Sequence, residues 1–168
     1  SLQGDSKLAV IFKDLGVQTQ FLDGCIKLKK INMDMPAAME LDLTQEPDQA
    51  QTIFATCLGL GIDVHLTGLH TLKIKETDRI EAMKVVGLRF RESEIITTDS
   101  SITLKVDRTS ALLENVVVDT FHDHRMAMAF APLSYLTSVI IKDAGVVSKS
   151  YGTYWDDLRK LNIAINEI

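Results

Sequence analysis

Residues 38–66, AMELDLTQEPDQAQTIFATCLGLGIDVHL, contain the pattern that decides the fold. Apolar and polar side chains alternate over Ala38–Leu43, which is typical of a β-strand with one buried face. Pro47 suits the first turn of a helix, which we expect to run to about Leu58 and to end at a following glycine. Ile62–Leu66 again has the composition of a strand. The stretch therefore predicts a β-α-β unit.

The residues that follow predict a second helix and a group of strands. The helix begins at Thr77 or Asp78 and runs through Val86, and Asp78 with Glu81 three residues later resembles a capping box. Gly87 ends this helix. Strands are predicted near Leu88–Arg91, Ile95–Thr97 and Ile102–Val106. Residues 38–106 are thus predicted to form one β-α-β-α-β-β unit.

Partial copies of this unit are predicted on both sides of it. The preceding elements are a helix with the apolar stripe Leu8, Ile11, Phe12 and Leu15, then a hairpin of Val17–Leu22 and Cys25–Lys29 joined by Asp23-Gly24. The following elements are a strand at Val116–Val118, a helix over His122–Leu136, a strand at Val139–Ile141 and a helix over Tyr151–Leu161.

Corresponding residues recur at a nearly constant spacing, which predicts an internal repeat. The spacings are 75 residues from Asp48 to Asp123, 74 from Lys75 to Lys149, and 71 from Gly16 to Gly87. The first copy starts at its second helix and the last stops after its second helix, so we expect a piece of a larger molecule. Chance similarity of α/β units is the alternative.

Composition narrows the class of protein. The 168 residues suggest one domain spanning residues 1–168, and the net charge of −5 argues against nucleic acid as the main partner. No apolar run approaches the roughly 20 residues that span a bilayer, so we expect no membrane and a cytoplasmic location. Cys25 and Cys57 are expected to be reduced and buried, with a lone disulfide as the alternative.

Charged residues stand at four predicted helix starts. Lys75–Arg79 carries four charges in five residues, and His122–Arg125 precedes an apolar helix. Asp48 and Lys149 stand at the other two helix starts. Helix N-termini favour the binding of anions. The alternative is that these charged residues are solvent-exposed helix starts whose acids only cap the helices. His122 and His124 at i and i+2 face different ways, so we expect no metal site.

The coincidence of these positions favours a functional interpretation. Strand-to-helix junctions in repeated β-α units gather at one end of the sheets, where ligands bind. The cations Lys75, Arg79, Arg125 and Lys149 together with the carboxylates of Asp48 and Glu76 would suit a multiply anionic substrate and proton transfer.

Three of these stretches closely resemble motifs of the EPSP synthase (3-phosphoshikimate 1-carboxyvinyltransferase) family: Lys75–Arg79, Asp123–Met128 and Ser148-Lys149. Pro47-Asp48 and Leu2–Asp5 fit the same family. The resemblance implies an α/β (α+β) fold of repeated β-α-β-α-β-β units, an inside-out α/β barrel-like domain with helices inside and sheets outside. It also implies that the chain is incomplete and forms most of the C-terminal domain of a two-domain enzyme.

The family's activity follows from the same resemblance. It implies a transferase that moves the enolpyruvyl group of phosphoenolpyruvate to the 5-hydroxyl of shikimate 3-phosphate, in the shikimate pathway that makes chorismate and aromatic amino acids. No metal or organic cofactor is implied, and the missing partner is the N-terminal domain of the same enzyme. The chain alone is expected to be inactive. The alternatives are a transferase of the UDP-N-acetylglucosamine type and a non-catalytic α/β binding module.

The resemblance also assigns roles to individual residues. Catalytic roles fall on Asp48 (proton acceptor), Glu76 (acid/base near the phosphoenolpyruvate methylene) and Lys149 (candidate proton donor). Substrate binding falls on Asp48, Thr71, Lys75, Arg79, His124, Arg125 and Lys149, where Lys75 matches a shikimate-phosphate ligand and Arg79, Arg125 and Lys149 match the phosphoenolpyruvate ligands. Thr71 stands where the family often has Asn, and the helix after Arg79 is about two residues shorter than its repeat partner.

Overall fold

The computed structural model describes residues 4–167, so Leu2 and Gln3 of the Leu2–Asp5 motif lie outside the described residues. Its strands are β1 Val17–Leu22, β2 Cys25–Lys30, β3 Ala38–Asp42, β4 Asp63–Thr67, β5 Ser93–Thr97, β6 Ile102–Val106, β7 Val116–Val118 and β8 Val139–Ile141. Its α-helices are α1 Leu8–Ile11, α2 Ala50–Leu60, α3 Arg79–Gly87, α4 His124–Phe130 and α5 Tyr154–Lys160. Short 3-10 turns cover Gly4–Lys7, Pro47–Gln49, His70–Ile74, Ala131–Tyr135 and Ala144–Lys149.

The predicted β-α-β-α-β-β unit is confirmed over residues 38–106. Its strands form a four-stranded sheet in the order β3-β4-β6-β5. β3 and β4 run parallel, whereas β6 pairs antiparallel with both β4 and β5. Burial alternates along β4 and β6, as expected for strands with one face on the core.

Each partial copy of the unit contains a two-stranded sheet. β1 and β2 form the predicted hairpin, and Gly24 in its turn has a φ of 72°, a conformation that favours glycine. β7 and β8 pair in parallel. The element order of the repeat is therefore confirmed on both sides of the complete unit.

Helices form the inside of the molecule, as predicted. α2 lies at the centre and contacts both α3 and α4. Phe54 of α2, Phe130 of α4 and Phe90 after α3 are fully buried, and the Phe130 ring centroid lies 6.4 Å from Phe54 and 5.7 Å from Phe90. A Cβ on Gly87, the last residue of α3, would come within 2.9 Å of Phe54 Cζ, so the helix must end in glycine to pack this closely.

The strand predicted at Leu88–Arg91 is wrong, because these residues continue α3 as turns. The Leu88 N–H donates to Lys84 O at 3.1 Å, and the Phe90 N–H donates to Gly87 O at 3.1 Å. This path carries the Phe90 ring into the aromatic core, which outweighs the local preference for a strand.

The helix predicted over residues 122–136 is shorter than expected. α4 ends at Phe130, and the chain continues as the 3-10 turn Ala131–Tyr135. Pro132 has no N–H to donate to Met128 O, four residues before it. The Tyr154 hydroxyl donates to that carbonyl instead, at 2.9 Å.

The two cysteines differ from the expectation. Both thiols are free, but only Cys57 is buried, and burial raises its pKa to about 12. Cys25 is exposed because it lies on β2, whose residues are all exposed. Within residues 4–167, each helix is too short or too polar to cross a bilayer.

The aromatic core predicts that substitutions of two phenylalanines have very different effects on the stability of the chain. Phe130→Ala removes a side chain that is 0% exposed and should lower the free energy of unfolding by about 3–5 kcal/mol, because it leaves a cavity. The matched change Phe21→Ala, at a position 69% exposed on β1, should cost at most about 0.5 kcal/mol. Urea unfolding followed by circular dichroism measures both, and equal losses would contradict the assigned core.

Candidate active site

The starts of α2, α3 and α4 converge on one side chain, that of Arg79. Arg79 is the first residue of α3, and its side chain is only 2% exposed. Asp48 lies in the 3-10 turn before α2, and Asp123 is the N-cap of α4. Glu76 lies three residues before Arg79. Packing of the three helices in the core therefore brings their N-termini together.

Arg79 binds three carboxylates at once. Its Nε donates to Asp123 Oδ2 at 2.6 Å, and its Nη2 donates to Asp123 Oδ1 at 3.3 Å. The same Nη2 donates to Glu76 Oε2 at 2.6 Å, and Nη1 donates to Asp48 Oδ1 at 2.8 Å. Four of the five N–H donors of the guanidinium are used in this way. A buried arginine needs such compensation, since an unpaired buried charge is very costly.

Asp48 is shared among three cations. Besides Arg79, its carboxylate lies 3.3 Å from Arg125 Nη2 and 3.7 Å from Lys75 Nζ. The Asp48 carbonyl also accepts a hydrogen bond from Arg125 Nη1 at 3.2 Å. The side chains of Asp48, Arg125 and Lys75 are each about one-third exposed. These groups therefore form the open side of the cluster, while Arg79 forms its buried side.

The formal charges of this cluster balance. Three cations (Lys75, Arg79 and Arg125) face three carboxylates (Asp48, Glu76 and Asp123). An incoming anion therefore meets no free excess of positive charge and must compete with the carboxylates for the exposed cations.

His124 and Thr71 each present an unused polar atom. His124 is 16% exposed, and its Nδ1 lies 3.8 Å from Asp123 Oδ1. Thr71 lies in the 3-10 turn that leads to Lys75. His124 Nδ1 and Thr71 Oγ1 are both buried and form no hydrogen bond with any described residue. Both side chains can therefore bond a water molecule or ligand that reaches them.

Lys149 is not part of this contact network. It is the exposed last residue of the 3-10 turn Ala144–Lys149, which packs on α4. The ammonium forms no ion pair within residues 4–167. The structure thus joins Asp48, Lys75, Glu76, Arg79 and Arg125, as the spacing predicts, while the link from Lys149 to the cluster stays a prediction.

Glu76, Asp123 and His124 are the one group of described residues whose side chains come close enough to hold a metal ion, with ligand atoms within 4.8 Å of one another. Arg79 already donates to both of these carboxylates. Its guanidinium therefore stands where a metal cation would have to bind, and the chemistry of the group favours an arginine-centred site.

Asp123 is the residue whose role the sequence analysis missed. The sequence placed Asp123 in a charged cluster and a family motif, with a helix cap as the alternative, but assigned it no individual role in the site. The cap is present: Asp123 Oδ1 accepts the Arg125 N–H at 2.9 Å. The same carboxylate is also 0% exposed and binds Arg79. The 75-residue spacing between Asp48 and Asp123 was the signal that could have paired them as acids facing one arginine.

The balance of charges predicts that Asp48 competes with anions. Asp48→Asn removes the negative charge that Arg125 and Lys75 share. Both cations are then freer to bind an anion, so the chain should bind inorganic phosphate at least about threefold more tightly. Asp156→Asn changes the net charge equally but lies beside Arg159 on α5, and it should leave the affinity unchanged. Phosphate titration followed by ¹⁵N NMR measures both. Weaker binding by Asp48→Asn would contradict this account of the cluster.

Comparison with known proteins shows which family this chain resembles. Residues 1–158 match the family model described as EPSP synthase (3-phosphoshikimate 1-carboxyvinyltransferase). The 3-phosphoshikimate 1-carboxyvinyltransferase of Bacteroides fragilis is 42% identical over 98% of this chain and 40% of its own length. The corresponding protein of Saccharolobus islandicus is 33% identical over 97% of this chain and 38% of its own.

The fold has a solved relative. An EPSP synthase structure from Acinetobacter baumannii superposes with a TM-score of 0.78 at 20% identity, over 98% of this chain and 40% of that one. The chain thus spans about two-fifths of the length of the relatives it matches. The match over residues 1–158 shows that the chain belongs to the EPSP synthase family.

Proposed function

We propose that this chain is the C-terminal part of an EPSP synthase, which transfers the enolpyruvyl group of phosphoenolpyruvate to the 5-hydroxyl of shikimate 3-phosphate. The observation that carries the proposal is the cluster around Arg79, where cations and carboxylates from three helix starts meet. Both substrates are multiply anionic, and the reaction moves protons. A site made of arginine and lysine beside exposed carboxylates supplies both requirements.

The exposed cations bind the anionic groups of the substrates. Arg125 presents a planar guanidinium that suits a carboxylate or phosphate and lies beside Asp48 Oδ2, and Lys75 adds an ammonium beside Asp48 Oδ1. Lys149, at the exposed end of the turn that packs on α4, is the further cation that the family resemblance assigns to phosphoenolpyruvate. Arg79, which the resemblance also assigns to phosphoenolpyruvate, lies on the buried side of the cluster and binds the carboxylates of Asp48 and Glu76. Thr71 and His124 supply further polar contacts.

The carboxylates handle the protons. In the addition step, the 5-hydroxyl oxygen forms a bond to C2 of phosphoenolpyruvate, Asp48 accepts the hydroxyl proton, and C3 gains a proton. In the elimination step, the bond from C2 to the phosphate oxygen breaks, C3 loses a proton, and phosphate leaves. Glu76, 38% exposed and bound to Arg79, is the acid and base at C3, with Lys149 as a further proton donor. This chemistry needs no metal or organic cofactor.

We infer that residues 1–168 belong to one domain, and that the rest of it and the N-terminal domain lie elsewhere in the enzyme. The support is the hairpin β1–β2, whose counterpart β5–β6 completes a four-stranded sheet. Phe21, Ile26 and Leu28 share one face of the hairpin and are each more than 60% exposed. A preceding β-α-β segment of the repeat would cover this face. A cytoplasmic location is part of the same proposal.

Ligand binding by the chain tests the proposed function. Titration calorimetry should detect phosphoenolpyruvate binding, and Arg125→Ala should weaken it at least about tenfold, because a guanidinium contact to an anion is lost. Arg159→Ala on α5 removes an arginine whose guanidinium, among the described residues, binds Asp156, and it should leave the affinity unchanged. No response to phosphoenolpyruvate or shikimate 3-phosphate would favour a non-catalytic module.

Turnover extends the same test. The chain alone should release no phosphate from the two substrates, because half of the substrate contacts are missing and the site cannot close against water. A chimera of the Bacteroides fragilis relative, in which this chain replaces the matching residues, should turn over, whereas the chimera with Glu76→Gln should not. Turnover by the isolated chain would contradict the proposed division of the site. Turnover with UDP-N-acetylglucosamine in place of shikimate 3-phosphate would favour the other transferase.

A further inference from the structure

Asp123 differs from the other carboxylates of the cluster in its burial. Its side chain is 0% exposed, whereas those of Asp48 and Glu76 are 34% and 38% exposed. A ligand entering from the open side can therefore reach Asp48 and Glu76 but cannot reach Asp123. The function of the Asp123 carboxylate must lie in the groups that it binds within the protein.

Asp123 binds two groups that belong to different helices. Its Oδ1 accepts the backbone N–H of Arg125 at 2.9 Å and thereby caps α4. Its Oδ2 and Oδ1 accept the Nε and Nη2 of Arg79, the first residue of α3, at 2.6 and 3.3 Å. One carboxylate thus joins the start of α3 to the start of α4.

Capping alone does not explain this arrangement. Asp78 is the N-cap of α3, and its Oδ1 accepts the Glu81 N–H at 3.1 Å without any described bond to an arginine. A capping aspartate in this molecule can therefore be partly exposed and needs no arginine partner. The complete burial of Asp123 against Arg79 is an additional feature, and it holds a long, flexible side chain in one orientation.

We propose that Asp123 is a positioning residue for the reaction proposed above. It fixes the guanidinium of Arg79 and the first turn of α4, which carries Arg125, and so sets the separation of the two guanidinium groups before substrate arrives. Preset cations bind an anion without first losing conformational freedom, and a misplacement of about 1 Å can cost about a hundredfold in rate.

The Nε–H of Arg79 reports this role directly. In ¹⁵N NMR spectra of the chain, the Arg79 Nε–H should exchange with water at least tenfold more slowly than that of Arg159, which is 42% exposed. Asp123→Asn and Asp123→Ser keep a capping oxygen but lose the charge that holds Arg79. Both should remove this protection and weaken phosphoenolpyruvate binding at least tenfold, with α4 still formed.

Asp78→Asn is the matched control, because it changes a capping aspartate that does not bind an arginine. It should leave both the Arg79 signal and the affinity unchanged. Rapid exchange of the Arg79 Nε–H in the unsubstituted chain would overturn the proposal without any variant. Unchanged affinity in a folded Asp123→Asn chain would also overturn it. This inference rests on the proposed function. If the unsubstituted chain does not bind phosphoenolpyruvate, the proposed function fails. The exchange of the Arg79 Nε–H still tests the role of Asp123, because that measurement needs no ligand.

In the chimera described above, the same substitution separates positioning from mere stability. Asp123→Asn should raise the KM for phosphoenolpyruvate and lower kcat while the KM for shikimate 3-phosphate changes less, because Arg79 and Arg125 serve the phosphoenolpyruvate side. A uniform fall in active protein, with both KM values unchanged, would assign Asp123 a structural role only.

Discussion

The buried guanidinium of Arg79 is the constraint on which the rest of the site depends. A positive charge that is 2% exposed is stable only if anions replace the water it has lost. Asp48, Glu76 and Asp123 supply them, and two of these acids lie 31 and 44 residues away from Arg79 in the chain. The need to compensate one charge therefore fixes the starts of three helices relative to one another.

The hydrophobic core makes this compensation possible. α2 lies between α3 and α4, and the rings of Phe54, Phe90 and Phe130 fill the space among them. Gly87 lets α3 approach Phe54 closely. Because the helices all follow strands of the repeated unit, packing their bodies in the core also places their N-termini together. The bodies of these helices thus form the apolar interior, and their N-termini form the charged cluster.

Local chemistry made much of the fold predictable from the sequence. Asp23-Gly24 indicated the hairpin, and the strand-helix alternation over residues 38–106 indicated the complete unit. One prediction failed because a tertiary contact decides: Leu88–Arg91 forms turns since Phe90 enters the core. Another failed because a local signal was overlooked: Pro132 has no N–H and shortens α4. The meeting of Asp48 and Arg79 followed from the repeat, whereas the double role of Asp123 did not, since burial depends on neighbours distant in the chain.

A crystal structure of the chain grown with and without phosphate would test the central claim most directly. The account predicts that Arg79 contacts Asp48, Glu76 and Asp123 in the phosphate-free crystal. With phosphate, the anion should lie against Arg125 and Lys75 while the bonds from Arg79 to Asp123 persist. An Arg79 side chain that points into solvent, with the three carboxylates apart, would contradict the account.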